Sequence, residues 1–386
     1  MKAALTLRAL AVAAAVVASA LVAGCADDVA KPTPLEPMEA KIAGHEVWKL
    51  SLSSFSTLSA LAGNAGFGAQ GVAAAGNNFV IGALNGALVS VDAATGKENW
   101  RADAGGRLSA GIGTDGRFTS VVTRDGDLVT LDAGKIIWRK HLNAAVYTAP
   151  FVAGERVFVL GVDRSVQAFD AVDGKQLWTY AKAGDALTLS QAGVLTAWQD
   201  TLLFGLGARL TALDPLKGTV RWEVPVAAPR GTNEVERLAD LVSPAARVGD
   251  IVCARAFQSA VSCADAARGT VAWTRPLGGT HGVAADEQVA VAADASDRIS
   301  AWRLGTGELL WTSERLRYRQ LAAPVLIGGT IAIIDNGGLV HFLARDTGEP
   351  LLRLPTADSP AAATVRVGNT LVVVSRAGRV FGFRLE

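Results

Sequence analysis

Apolar and polar positions alternate along this chain in short runs, and the runs recur at a regular interval. Leu88-Val89-Ser90-Val91-Asp92 is followed by Gly96 and Trp100. The same frame returns as Val166 to Asp170 with Gly174 and Trp178, and as Leu210 to Asp214 with Gly218 and Trp222. It returns again as Val261 to Asp265 with Gly269 and Trp273. A copy two residues shorter runs from Leu128 to Asp132 and on to Trp138. Another keeps Gly307 and Trp311 with Arg303 in the Asp place, and a further copy keeps Gly348 with Ala344 for Asp and Leu352 for Trp. Alternation up to the Asp predicts a half-buried strand. Asp bonds the backbone of the turn it opens, and Gly accepts positive φ there. The Trp then enters the next strand as a large flat side chain that fills the gap between neighbouring sheets.

Each copy is preceded by another hairpin, such as Arg156 to Gly161, a turn at Asp163-Arg164, and Ser165 to Asp170. Before that hairpin lies a short small-residue strand, Thr148-Ala149-Pro150-Phe151-Val152. Four strands per repeat match a propeller blade. Trp48, Trp100, Trp138, Trp178, Trp222, Trp273, Trp311 and Leu352 mark eight positions. The last strands, Thr370 to Ser375 and Arg379 to Arg384, stop where a Gly and a Trp should follow. Glu46-Val47-Trp48-Lys49-Leu50 is a Trp strand with nothing before it. The expected fold is therefore all-β, an eight-bladed β-propeller whose ring is closed by the N-terminal strand, leaving no free sheet edge.

The start of the chain has a different character. Lys2 and Arg8 precede an almost pure Ala/Val/Leu stretch from Ala9 to Val22, too short for a mature membrane span but suited to a secretory signal. It ends in Leu21-Val22-Ala23-Gly24-Cys25, similar to a bacterial lipobox, in which the signal is cut before a Cys that is then lipidated. The closely spaced prolines of Lys31-Pro32-Thr33-Pro34-Leu35-Glu36-Pro37 favour an extended tether. The expected organisation is a signal peptide over 1–24, a lipidated Cys25 and tether over 25–44, and the propeller over 45–386.

Composition narrows the function classes. Of 386 residues, half are apolar and 19% charged, which excludes intrinsic disorder. A net charge of +1, becoming −1 once Lys2 and Arg8 leave with the signal, gives no footprint for nucleic acid. Gly111-Ile112-Gly113-Thr114-Asp115-Gly116 fits a dinucleotide pattern, but the strand-like Phe118-Thr119-Ser120-Val121-Val122 follows it where a helix would be needed. It reads as a hairpin turn. His45, His141, His281 and His341 show no metal-ligand spacing and read as exposed or capping residues. Trp198 and Trp302 fall in strand positions and read as core. Cys253 and Cys263 sit in paired strands about a turn at 258, so a cross-strand disulfide and two buried free thiols are both open.

The Asp-x-x-x-Gly-x-x-x-Trp frame resembles the tryptophan-docked repeat of the pyrroloquinoline-quinone (PQQ) propeller superfamily. One branch of it holds PQQ- and calcium-dependent dehydrogenases, which usually carry an adjacent Cys pair; this chain has none. Lipobox, Pro-rich tether, opening Trp strand and eight PQQ-like repeats together resemble the BamB family of outer-membrane lipoproteins across essentially the whole mature chain. Two segments outside the repeat sharpen that resemblance: Ala186-Leu187-Thr188-Leu189-Ser190-Gln191, and Thr232-Asn233-Glu234-Val235-Glu236-Arg237-Leu238-Ala239-Asp240.

The resemblance implies a non-enzymatic scaffold without cofactor, on the periplasmic face of the outer membrane. It implies docking onto the POTRA domains of BamA within the β-barrel assembly machinery, with unfolded outer-membrane proteins as further partners. Carried over by position, the partner surface comprises Leu187, Leu189, Ser190, Glu236, Arg237 and Asp240. Ser190 stands where the family has Arg, and Val242 where it has a second Asp. Leu187 and Leu189 would anchor in an apolar pocket with a polar rim around them; the alternative is that both pack down onto their own blade. A PQQ-dependent dehydrogenase and a polysaccharide-binding propeller are the rival functions.

Overall fold

In the computed structural model, every strand belongs to one of eight four-stranded antiparallel sheets. The residues described are 30–51, 71–182, 187–228, 232–233, 238–356, 361–375 and 378–386. Thr33–Glu386 forms the propeller unit. Blades one to seven span 72–103, 113–141, 151–181, 195–225, 241–276, 284–313 and 325–355. In each of these seven the strands follow chain order from the first, which lines the inside of the ring, to the fourth at the rim.

The eighth blade takes three strands from the C-terminal end of the chain, and its rim strand, Gly44–Ser51, from the N-terminal end. Trp48 lies opposite Gly382 and Lys49 opposite Phe381. The expected ring closure is therefore observed: the N-terminal strand pairs with the edge of the chain's last strand and becomes the blade's fourth strand.

The core is divided into eight layers, one between each pair of neighbouring blades. Phe79, Ile81 and Val89 of blade one, for example, meet Val372, Val374 and Val380 of blade eight in one layer. These layers are built by the middle strands, which are apolar on both faces because each blade is sandwiched between two others.

The repeat frame acquires its meaning at the rim. In the seven turns that carry the repeat glycine, Gly96, Gly134, Gly174, Gly218, Gly269, Gly307 and Gly348 have φ between +64° and +86°. A methyl group added to any of them would lie 2.6–2.8 Å from the indole of the preceding blade's Trp. Thus Trp48 lies on Gly96, Trp100 on Gly134, and so on round to Trp311 on Gly348. Five of these indoles also donate Nε1–H to a carbonyl of the same neighbouring turn, as Trp48 does to Ala93 at 2.9 Å and Trp178 to Pro215 at 2.9 Å. The glycine thus has two duties: a backbone conformation that disfavours a Cβ, and a bare surface for the ring.

The Asp that opens the turn is dispensable to this geometry. Where it is present, it accepts from the turn's amides, as Asp92 Oδ1 does from Thr95 N at 2.8 Å. Where Arg303 or Ala344 replaces it, the backbone bonds Gly307 N to Arg303 O and Gly348 N to Ala344 O persist at 2.8 Å. The short copy uses a two-residue turn, Ala133-Gly134, with both φ values positive, and still delivers Gly134 to Trp100.

Each blade also contains a feature that the spacing did not reveal. The fourth strand skips one residue in register just before the Trp position: Asn99 in blade one, Ile137 in blade two, Val47 in blade eight, and the equivalent residue in the other five. Such a bulge bends the strand and re-aims the following side chain. Here it turns the Trp towards the next blade.

Part of the segment read as a tether lies on the propeller. Thr33 N bonds Arg317 O at 3.0 Å, Lys41 N bonds Leu351 O at 2.8 Å, and Leu35 joins the layer between blades six and seven. Gly116, in the dinucleotide-like stretch, occupies a hairpin turn at φ +103°, with Gly113–Thr114 paired to the following strand. Trp302 is buried as expected, while Trp198 is half-buried and donates to Asp250 at 3.2 Å.

Candidate partner-docking surface

Two connections between blades carry the segments singled out by sequence, and the fold sets them side by side. The connection from blade three to blade four includes Leu187–Val194, and the one from blade four to blade five ends at Asp240. Asp240 Oδ2 accepts the amide of Leu189 at 2.8 Å. Ser243 N bonds Ala192 O at 3.1 Å, joining the same two stretches a second time. Gln191 reaches on to blade five's exit, donating Nε2–H to Thr280 O at 2.7 Å. A segment without regular structure is thus fixed by bonds to two neighbouring connections, which lowers the ordering cost of binding a partner.

The two leucines have different environments. Leu187 is 37% exposed, among the large apolar residues left open at the surface. Its carbonyl takes a hydrogen bond from Arg164 Nη2 at 3.2 Å, which holds the backbone at this point. Leu189 is half-buried and lines a cleft of about 60 Å3 together with Tyr147, Arg164, Gln191 and Asp240. Ser190 is exposed. Of the two leucines, Leu187 is thus the more exposed and Leu189 the more packed down.

Asp240 has a role that the sequence did not disclose: it is the acceptor that pins Leu189, besides standing at the cleft. Val242 is buried and lines the same cleft. Glu236 and Arg237 lie outside the described residues. Arg164, from the turn of blade three's central hairpin at φ +64°, was missed because nothing in the repeat distinguishes it from any other turn residue.

The remaining chemistry-bearing residues are dispersed. Cys253 and Cys263 face each other in register in blade five and are joined by a disulfide; both side chains are buried. Cys25 lies outside the described residues. His45 and His141 pair with Glu386 and Asp127 at the surface. His341 departs from the exposed role expected of it, being buried in blade seven with Nε2 3.0 Å from Asp335. Among the described residues no three His, Cys, Asp or Glu side chains are grouped as metal ligands would be.

The family model described as outer membrane protein assembly factor BamB matches residues 40–110 and 84–313. The chain belongs to the BamB family. Among BamB relatives, that of Burkholderia pseudomallei (strain K96243) is 35% identical over 376 residues, 96% of either chain. That of Bordetella pertussis is 33% identical over 363 residues, 91% of this chain and 92% of the other. The crystal structure of BamB from Moraxella catarrhalis superposes with a TM-score of 0.77 at 22% identity, covering 89% of this chain and 100% of that one. Quinohemoprotein alcohol dehydrogenase from Comamonas testosteroni superposes at 0.64 with 14% identity, over 88% of this chain and 76% of the other, a likeness of fold alone. The BamB assignment agrees with the eight-bladed ring and does not favour the dehydrogenase and polysaccharide readings.

Proposed function

We propose that this chain is a non-enzymatic scaffold of the β-barrel assembly machinery. In this reading it is lipid-anchored through Cys25 to the periplasmic face of the outer membrane, and it docks onto the POTRA domains of BamA to assist insertion of β-barrel proteins. The observation that carries the docking reading is Leu187, a partly exposed apolar side chain on a connection held by the Asp240–Leu189 and Gln191–Thr280 bonds. Apolar anchors beside a polar, pre-ordered rim are what protein interfaces use for affinity. Ser190 supplies a small polar neighbour, and Glu236 and Arg237 belong to the same surface in this reading. Unfolded outer-membrane proteins would be the clients of the assembled machine.

The deciding experiment is co-purification of BamA with the double variant Leu187→Glu, Leu189→Glu. The expected result is loss of BamA from a chain whose urea unfolding midpoint is unchanged. Undiminished co-purification would refute the surface. Replacing Cys25 by Ser should separately release the protein from the membrane fraction; retention would refute the anchor.

A further inference from the structure

Arg353 is a cation that its blade places at a cavity and not beside an acid. Comparison between blades shows how unusual this is. Three blades carry an arginine directly after the residue that packs on the next blade: Arg101 after Trp100, Arg139 after Trp138, and Arg353 after Leu352. Arg101 pairs with Glu98 at 2.8 Å, and Arg139 with Asp127 at 3.3 Å. Arg353 is half-buried and, among the described residues, has no acid within ion-pair reach. Its bonds go to neutral atoms: Nε donates to His341 Nδ1 at 3.4 Å, and Nη1 to Glu36 O at 3.5 Å.

The third strand of blade seven, Leu339–Ala344, accounts for the difference. Opposite Arg101 and Arg139 in register stand Val89 and Val129, whereas His341 stands opposite Arg353. His341 is buried, and its Nε2–H donates to the Asp335 carboxylate at 3.0 Å, which leaves Nδ1 to accept from Arg353. Asp335 is also committed to Arg319, accepting from its Nε at 2.8 Å. The series Asp335–His341–Arg353 therefore orients the guanidinium without neutralising it. That guanidinium lines a cavity of about 510 Å3, shared with His341 and with residues 33–41. The 33–41 stretch is fastened at both ends, Thr33 to Arg317 and Arg319, and Lys41 to Leu351. The other cations of the lining are matched: Arg315 pairs with Glu36 at 2.5 Å, and Lys41 with Glu349 at 3.1 Å. Glu39, the remaining acid, is exposed and makes no ion pair with Arg353. Leu35, Met38, Leu316, Leu343 and Pro350 give the cavity apolar walls.

Concave space with apolar walls and one oriented charge is the usual form of a small-molecule site. The unmatched guanidinium selects an anion, and its planar fork suits a carboxylate. The apolar walls select a ligand that also has a body to bury. We propose that the space between residues 33–41 and blade seven binds a small carboxylate with an apolar body, of the size of an acylated amino acid, whose carboxylate pairs with Arg353. His341 is the positioning residue of this site. The proposal stands apart from the docking surface; it uses none of Leu187, Leu189 or Asp240.

The test titrates the full-length protein, in a non-ionic detergent, with three probes followed by NMR. N-acetyl-L-leucine has both charge and body, N-acetyl-L-leucinamide has the body alone, and acetate has the charge alone. N-acetyl-leucine should bind saturably and roughly tenfold or more tighter than either of the others, and should shift the His341 imidazole resonances. Arg353→Gln should reduce its binding to the level of the amide. Arg101→Gln, which alters the ion-paired counterpart in blade one, should change nothing. His341→Val copies the residue of blades one and two, keeping the cation but not its support. It should narrow the preference for acid over amide while leaving amide binding as it was. If Arg353→Gln does not fold, the wild-type probe comparison and the His341 resonances decide. Equal binding of acid and amide, acetate bound as tightly as N-acetyl-leucine, His341 resonances indifferent to the acid, or undiminished acid binding in folded Arg353→Gln would each overturn the site.

Discussion

Leu352 packs against Gly44 at the one blade junction, among the described residues, that has no turn carrying the repeat glycine. A methyl group on Gly44 would lie 2.7 Å from Leu352 Cδ2. The eighth blade has no turn between its third and fourth strands, because the two ends of the propeller unit meet there. An indole at 352 would have no glycine turn to cover. The register partner changes in step: residues opposite the seven Trp are Gly382, Ser90, Thr130, Ala168, Ala212, Cys263 and Ala301, whereas Phe342 stands opposite Leu352. The aromatic volume has moved from the fourth strand to the third. Leu352→Trp should therefore destabilise the protein by about 1–3 kcal/mol through overpacking. Combining it with Phe342→Ala should recover part of both losses, a coupling readable in urea unfolding.

The docking of Trp on glycine can be separated from the glycine's backbone strain by a matched pair. Gly154 has φ +58° with nothing within 4 Å of an added methyl, whereas Gly218 has φ +69° with the Trp178 ring at 2.6 Å. Gly154→Ala should cost about 1–2 kcal/mol from the left-handed backbone alone. Gly218→Ala should cost a further 1–3 kcal/mol or so, because the ring must also move. Equal losses in the two variants would mean that the indole contributes nothing.

Much of this architecture was legible because a repeat multiplies weak signals. One Asp-x-x-x-Gly-x-x-x-Trp is a turn; its recurrence fixed the blade count, and the orphan strands at 46–50 and 370–384 fixed the closure. The bulge before each Trp was hidden, since register is a property of two strands and not of one sequence. Asp240 was legible as a surface acid but not as the acceptor for Leu189, because that bond joins connections 51 residues apart. Arg353 was invisible for a related reason: alternation cannot say whether an arginine in a strand meets an acid or a cavity.

The buried cluster in blade seven predicts an acid-sensitive contribution to stability. Burial alone would raise the pKa of Asp335, but hydrogen bonds from His341, Leu339 N and Arg319 outweigh it and hold the value at about 2. A carboxylate depressed on folding stabilises the protein above its unfolded pKa, and that contribution fades as pH falls through the folded value. Asp335 should thus supply about 2 kcal/mol at neutral pH, lost between roughly pH 4 and pH 2. Urea midpoints measured across that range should fall more steeply for the wild type than for Asp335→Asn.

The Cys253–Cys263 bridge closes a short loop across one hairpin, with a sequence separation of 10. Loop-closure entropy for such a span gives about 3 kcal/mol as an upper expectation. Denatured, unreduced protein should show two fewer reactive thiols than the reduced form. The pair Cys253→Ala, Cys263→Ala should fold with a lowered urea midpoint while leaving BamA co-purification intact, since neither residue lines the docking cleft.

Asp240 offers a way to distinguish a contact residue from a positioning one within the proposed docking surface. Its Oδ2 accepts the Leu189 amide, so it can serve the surface by holding the leucine segment even if it never touches the partner. Asp240→Ala removes the acceptor and leaves the Leu189 amide unpaired in a half-buried place, at a cost of about 1–3 kcal/mol. The connection should loosen, amide exchange at Leu189 should accelerate, and BamA capture should weaken. Asp240→Asn keeps a side-chain oxygen able to accept from Leu189 but removes the negative charge. If Asp240 acts by positioning, Asn should restore both the slow exchange and the capture. If its charge pairs with a cation on the partner, Asn should restore the slow exchange alone, and the lost capture should respond to salt as an ion pair does. Measuring exchange and capture on the same two variants therefore separates the roles, because the first reports the connection and the second reports the interface.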